Sequence, residues 1–458
     1  GVMETLLAAD AEGKPIPALA NRWSVDAAGL AWHFELRPGL RFHDGTAVDG
    51  AAVAEALRRA AGEATALARA PIAAIEVGEG AVTIRLQRPF AALPAFLAHS
   101  ASGVLAPAAY DADGRVRAVI GTGPYRVVAL TPPLRLEVAR FEAWWGERPM
   151  IDRAVYLVAG QGEMRALMAE SGQADIVYAV QPVTVARLRR NSKLELRLVS
   201  IPRTRMLKLN LASPLLADLR VRQALSLAID RTGIATALLR NPALAADQLL
   251  PPAFAEWHIP GLPPPRRDLA EARRLLAAAG WQPGPDGMLR NAAGQPFRAV
   301  LRSYATWPEL PPIATALQAQ FREAGLDIEV AIGNASDIPL GHRDGTLELG
   351  LMSRNYALVP DPLGAILTDF APEGSDWGAM NWSSAELTEA LARMDGSETP
   401  AGRVALRRRV SEILRTELPV IPVVWSELGV AIGRRVAGVT VDPFETSYQL
   451  HEIRWAGR

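Results

Sequence analysis

Chemistry at a protein site needs particular side chains at short, specific spacings, and this 458-residue chain offers several candidates. Carboxylates pair as Asp361 with Asp369 and as Asp175 with Glu170. Two acids held about 5 to 9 Å apart across a bond can hydrolyse a glycoside. With 49 acidic residues such pairs also arise by chance, so a hydrolase with paired carboxylates is kept as the rival reading. The six histidines are His33, His43, His99, His258, His342 and His451. No two of them have the i, i+3 or i+4 spacing of a helical metal site. There are no cysteines, which removes thiolate ligands, cysteine nucleophiles and disulfides together. A serine nucleophile elbow of the GxSxG kind is also absent. The chain is therefore expected to hold no metal site of its own, no catalytic residue and no cofactor.

Gly121-Thr122-Gly123-Pro124-Tyr125 has the glycines that let backbone amides approach a phosphate. A phosphate loop sits between a strand and a helix, whereas this stretch leads into the strand pattern Arg126 to Leu130. It reads as a tight turn entering a strand. Among the eleven tryptophans, Trp23, Trp32, Trp144 and Trp145 fall in strand or strand-end contexts. Trp307, Tyr356, Trp377 and Trp382 fall in stretches rich in Pro, Gly, Asn and Ser, where an aromatic is either interface filler or the wall of a ligand cleft.

The elements that would position these groups are short strands and helices in mixture. Trp32, Phe34 and Leu36 alternate with His33, Glu35 and Arg37, the period of a strand with one buried face. A turn at Asp44-Gly45 follows, then a helix capped by Asp49 with Val53, Leu57 and Ala60 on one stripe. Residues 81–90 and 134–141 alternate as strands, the first stopping at Pro89. Asp218 begins a helix with Val221, Leu225, Ala228 and Ile229 inward. Asp268 and Glu271 form a capping box for another, closed by Gly280. The proline-rich stretches 251–254 and 262–267 read as surface connections. A helix is expected over Arg403–Leu418, and a buried strand over 420–425. The class is α/β, in mixed lobes rather than a barrel.

The length implies two or three lobes, because one core seldom serves so long a chain. Hydrophobic residues make up 49% and charged residues 21%, which excludes extended disorder. Forty-nine basic residues balance 49 acidic ones, so no net field draws in nucleic acid. No apolar run reaches the about 18 residues of a membrane span.

Four stretches, in order, carry a resemblance. They are VMETLLAADAEGKPIPALANRWSVDAAGLAWHFELRPGLRFHDGTAVDGAAVAEAL; GTGPYRVV followed by RFEAWWGERP; LKLNLASPLLADLRVRQALSLAIDR; and DLAEARRLLAAAGW with the PDP of Pro360 to Pro362 and LPVIPVVW. Together they resemble the peptide/nickel family (family 5) of extracellular solute-binding proteins that serve ABC importers, most closely its nickel-binding branch. The resemblance implies a two-lobed periplasmic-binding-protein type II fold. One lobe would comprise residues 1–209 and 430–458, with an extra subdomain roughly over 31–155, and the other residues 210–429. Hinge crossings would lie near Leu209–Leu211 and Glu427–Val430. It implies a non-enzymatic, monomeric, bacterial periplasmic or extracytoplasmic receptor that closes on a peptide, an opine-like solute or a metal chelate and docks on ABC permease subunits. A leader and a further first strand would precede Gly1. It places anion contacts at Arg140 and Arg354, with Tyr356 and one of Trp377 or Trp382 over the apolar part of the solute and Asp361 also among the ligand-binding residues.

Overall fold

The computed structural model describes residues 1–457 except 11–12, 63–64, 66, 264–265, 358, 360, 371, 373–374 and 396–398. Pro360 of the PDP motif and Pro264 and Pro265 of the proline-rich stretch at 262–267 therefore lie outside the described residues. The chain divides into two compact units. The first comprises Gly1–Val199, Leu358–Gly364 and Leu428–Arg458; the second comprises Ser200–Ala357 and Ala365–Glu427. The first crossing falls inside a continuous strand, Leu194–Leu209, earlier in the chain than Leu209–Leu211.

In the first unit, the alternation from Trp32 to Leu36 forms the strand Ala31–Leu36, with Phe34 fully buried and His33 exposed. It lies inside a four-stranded antiparallel sheet, between Ala20–Val25 and Ala81–Leu86, with Ile72–Gly78 at the far edge. The strand expected over 81–90 ends at Leu86, where the Gln87 amide turns away to the Pro71 carbonyl. The helix Gly50–Gly62 puts Val53 and Leu57 into the core against this sheet. Its start is local in origin, since Asp49 Oδ1 accepts the Ala52 amide at 2.8 Å. Asp44 Oδ1 likewise accepts the Thr46 amide and closes the turn at Gly45.

A three-stranded antiparallel sheet follows, formed by Tyr125–Thr131, Arg135–Arg140 and Arg153–Leu157. The Gly121–Tyr125 stretch enters it as a turn braced by His43, whose Nδ1 accepts the Gly121 amide while Nε2 meets the Gly123 carbonyl at 2.9 Å. A Cβ on Gly121 would stand 2.2 Å from the Val2 carbonyl oxygen, so glycine is needed for backbone contact and no phosphate is required to explain it. Ile176–Tyr178 pairs antiparallel with Val430–Ile432.

In the second unit, the later part of the Leu194–Leu209 strand, Arg203–Leu209, pairs antiparallel with Leu349–Asn355. The latter runs parallel to Arg298–Tyr304, which runs parallel to Asp327–Gly333. The helix Leu310–Glu323 makes the crossover between the last two, the connection that parallel strands require. Helices Leu219–Ala228 and Leu269–Ala278 are capped by Asp218 and Asp268 as expected. Only half of the capping box forms, because Glu271 turns to Arg274 while the Asp268 amide donates to the Leu227 carbonyl. The helix expected over Arg403–Leu418 begins earlier, at Pro400, with Thr399 as its cap. The strand expected over 420–425 runs on to Gly433.

Candidate functional site

The sheet register of the second unit places Thr204 opposite Arg354, Met206 opposite Met352 and Lys208 opposite Gly350, so these side chains share one face. Arg354 turns its fork onto Asp369 of the helix Leu363–Phe370. Nε donates to Oδ2 at 2.6 Å and Nη2 to Oδ1 at 2.7 Å. Asp369 is fully buried, and 12% of the Arg354 side chain is exposed. Burial works to lower the Arg354 pKa, but the charge and hydrogen bonds of Asp369 outweigh it and hold the guanidinium above its ordinary value. Asp369 Oδ1 also accepts the Ser375 hydroxyl at 2.9 Å. The Ala379 amide donates to the Asp369 carbonyl, which fastens the turn carrying Trp377.

Trp377 is half-buried. Trp382 is also half-buried but bound into the structure: its Nε1 donates to Glu417 Oε2 at 3.0 Å, and its ring meets Phe370 edge-on. Tyr356 is fully buried, and its hydroxyl donates to Met206 Sδ at 3.3 Å. Burial drives its pKa well above the usual phenol value. Tyr356 thus stands behind Arg354 and presents no surface. Trp307 lies under the Arg203 guanidinium at 4.4 Å.

In the first unit, Arg140 ends its strand with 9% of its side chain exposed. Its Nε donates to Glu142 Oε1 at 2.9 Å, and its Nη1 donates to the Pro149 carbonyl at 2.9 Å and pairs with Asp152 at 2.5 Å. Desolvation would lower its pKa, but Glu142 and Asp152 together raise it. Arg148, then Arg140, hold the Glu142 carboxyl below its ordinary value. Asp361 Oδ1 accepts the Leu363 amide at 2.8 Å and so caps the helix that carries Asp369.

The carboxylate pairs singled out for acid–base chemistry have other partners. Asp175 pairs with Arg435, Glu170 with Arg187, and Asp369 with Arg354. Among the described residues no three His, Asp or Glu side chains converge as a metal site, and no helix is long and apolar enough to cross a membrane. A surface cavity of ≈ 510 Å³ in the first unit is lined mostly by apolar side chains, including Leu134, Leu157, Met164 and Met168.

The sequence reading considered Asp369 only as a carboxylate beside Asp361, and it missed Lys208 altogether. Asp369 is the buried partner of Arg354; its signal is the one acid in the mostly apolar helix LGAILTDF. Lys208, in MLKLNL, is a lysine inside an apolar strand. It is fully buried, and burial pushes its pKa down to about 7, with Asp369 and Asp376 opposing and Arg354 assisting the shift.

Comparison with known proteins gives a consistent result. The sequence profile of bacterial extracellular solute-binding proteins, family 5 (middle), matches residues 14–377. The chain is 27% identical over 485 residues to the nickel-binding periplasmic protein of Escherichia coli (strain K12), spanning 99% of this chain and 89% of that protein. It is 26% identical over 452 residues to the glutathione-binding protein GsiB of Escherichia coli O1:K1 / APEC, spanning 96% and 86%. The crystal structure of NikA from Brucella suis in complex with Fe(III)-EDTA superposes with a TM-score of 0.88 at 24% identity, covering 99% of this chain and 94% of that one. The α/β fold is accordingly that of the periplasmic binding proteins.

Proposed function

This chain belongs to family 5 of the bacterial extracellular solute-binding proteins, and on that premise we propose that it captures a small anionic solute outside the cytoplasm and delivers it, unaltered, to the permease of an ABC importer. The family match over residues 14–377 carries this reading. The similar proteins are named for nickel and for glutathione, and a superposable one was crystallised with a metal–EDTA complex. Metal chelates and short peptides of this kind share carboxylates, which arginine recognises well. A nickel chelate or a short peptide is thus the proposed solute class, and the protein works as a monomeric periplasmic receptor.

Arg354 and Arg140 are the proposed anion contacts, with Trp377 over the apolar part of the solute. Because Asp369 occupies the Nε and Nη2 side of Arg354, a solute carboxylate meets Nη1 end-on rather than the open fork. Arg140 offers Nη2 in the same way, its other donors being taken by Glu142, Pro149 and Asp152. Of the two tryptophans, Trp377 is preferred because the Trp382 indole N–H is held by Glu417. Tyr356 is a buried neighbour of Arg354 in this reading, and Asp361 holds the start of the helix that carries Asp369.

Calorimetric titration of the wild type and Arg140→Ala with Fe(III)–EDTA and with glutathione tests the assignment. The account expects saturable binding of at least one probe, weakened tens of fold in the variant, whose melting temperature falls with the loss of the Glu142, Pro149 and Asp152 contacts but stays above the titration temperature. Affinity within about twofold of wild type would remove Arg140 from the site, since loss of a charged contact normally costs more than that.

A further inference from the structure

The turn that carries Trp377 is anchored from beneath by Lys208. Its Nζ lies 2.8 Å from the Asp376 carbonyl and 2.6 Å from the Gly378 carbonyl, the two acceptors that bracket Trp377. The third neighbour is His342 Nδ1, at 2.6 Å. The turn is equally constrained from the other side. A Cβ on Gly378 would stand 2.0 Å from the Asp369 carbonyl oxygen, and the Trp377 amide is 3.3 Å from Ser375 Oγ. Ser375 in turn shares Asp369 with Arg354.

We propose that Lys208 is a positioning residue for solute binding, acting through the Asp376 and Gly378 carbonyls to set the pose of Trp377, with His342 as its proton partner. This rests on the reading of Trp377 as a solute contact. The contacts admit two protonation states. As an ammonium, Lys208 donates to both carbonyls and to the Nδ1 lone pair. As an amine, it donates to both carbonyls and accepts a proton-bearing Nδ1. Both states keep the turn in place but differ by one buried charge beneath it. The charged groups around the pair are Asp369 on its helix, Asp376 in the turn, Arg354 on the neighbouring strand and Arg343 beside His342, the last paired with Asp376. The Lys208 pKa of about 7 places the exchange in the neutral range, and burial followed by the Lys208 charge keeps His342 below its ordinary value.

The test uses Trp377 emission, taken as the difference between wild type and Trp377→Phe, together with hydrogen exchange of the amides from Ser375 to Met380. In wild type the Trp377 signal should shift in one step near pH 7. In Lys208→Met the step should vanish and the amides should exchange about tenfold faster or more, since two buried carbonyls lose their donor. His342→Met keeps a weak sulfur acceptor for the ammonium but has no N–H to donate to the amine. It should leave exchange near wild type and move the step to higher pH. A step that survives in Lys208→Met, or exchange there at the wild-type rate, overturns the proposal. Affinities for Fe(III)–EDTA and glutathione separate it from the reading on which it rests. If Trp377→Phe binds as wild type does, Trp377 is not a solute contact, and Lys208 anchors a turn outside the site. If Trp377→Phe weakens binding but Lys208→Met does not, the solute contact stands and the positioning role falls.

Discussion

Removing the carboxylate of Asp369 should be among the most damaging single changes in the second unit. The acid is fully buried and accepts Arg354 through two bonds of 2.6 and 2.7 Å, with the Ser375 hydroxyl as a third donor. Asp369→Leu leaves a nearly buried guanidinium without its counter-charge, and breaking one side of such a pair costs about 3 to 5 kcal/mol. Arg354→Met leaves the converse, a buried carboxylate facing an apolar chain, and should cost a similar amount. The double variant buries neither charge. Replacing a whole buried pair by apolar groups is often close to neutral, so it should lie within about 2 kcal/mol of wild type, with the orphaned Ser375 hydroxyl as the main residual cost. The coupling energy is then at least about 4 kcal/mol. Urea unfolding followed by far-ultraviolet circular dichroism measures all four proteins, with a constant m-value as the check that the transition is comparable. Additive single losses, with coupling below about 0.5 kcal/mol, would refute the claim that this pair is mutually dependent.

Two further predictions follow from buried cations. Lys208 titrates at about 7 in the fold against an ordinary 10.5, so between these values the unfolded chain binds more protons and stability rises with pH. Denaturation midpoints of wild type should therefore climb relative to Lys208→Met from about pH 7 to pH 10, and a flat difference would contradict the assignment. Arg231 is 1% exposed and donates to the Pro422 carbonyl, the Ser226 carbonyl and Ser226 Oγ, each at 2.8 Å. Arg231→Met should lose about 2 kcal/mol, the cost of stranded acceptors partly offset by relief of a desolvated charge. Arg231→Lys should lose at least as much, because it keeps the charge but not the planar spread of donors; full stability in the lysine variant would show that charge alone matters there.

What the sequence revealed was mostly local. Asp49, Asp218 and Asp268 announce helices because a cap acts within three residues, and Phe34 announces a half-buried strand because the pleat repeats every two. The strand after the last long helix was legible only to Trp425. Ser426 and Glu427 interrupt its apolar run, and what carries it to Gly433 is pairing with Ile176–Tyr178, some 250 residues away. The surroundings of the candidate site were illegible for the same reason. Arg354 was read as a ligand contact, and its buried partner Asp369, fifteen positions on, reaches it only through the helix Leu363–Phe370. Lys208 was overlooked because a lone lysine between leucines has no meaning until the Asp376 and Gly378 carbonyls arrive from 170 residues along the chain.

The central claim is that this protein holds a small anionic solute and returns it unchanged. Mass spectrometry of the compound released by denaturing the purified protein, before and after prolonged incubation with an excess of that compound, tests it most directly. The account predicts a single carboxylate-bearing chelate or short peptide, near one per chain, with the same mass at both times. Release of no such compound, or recovery of a chemically altered one, would contradict it.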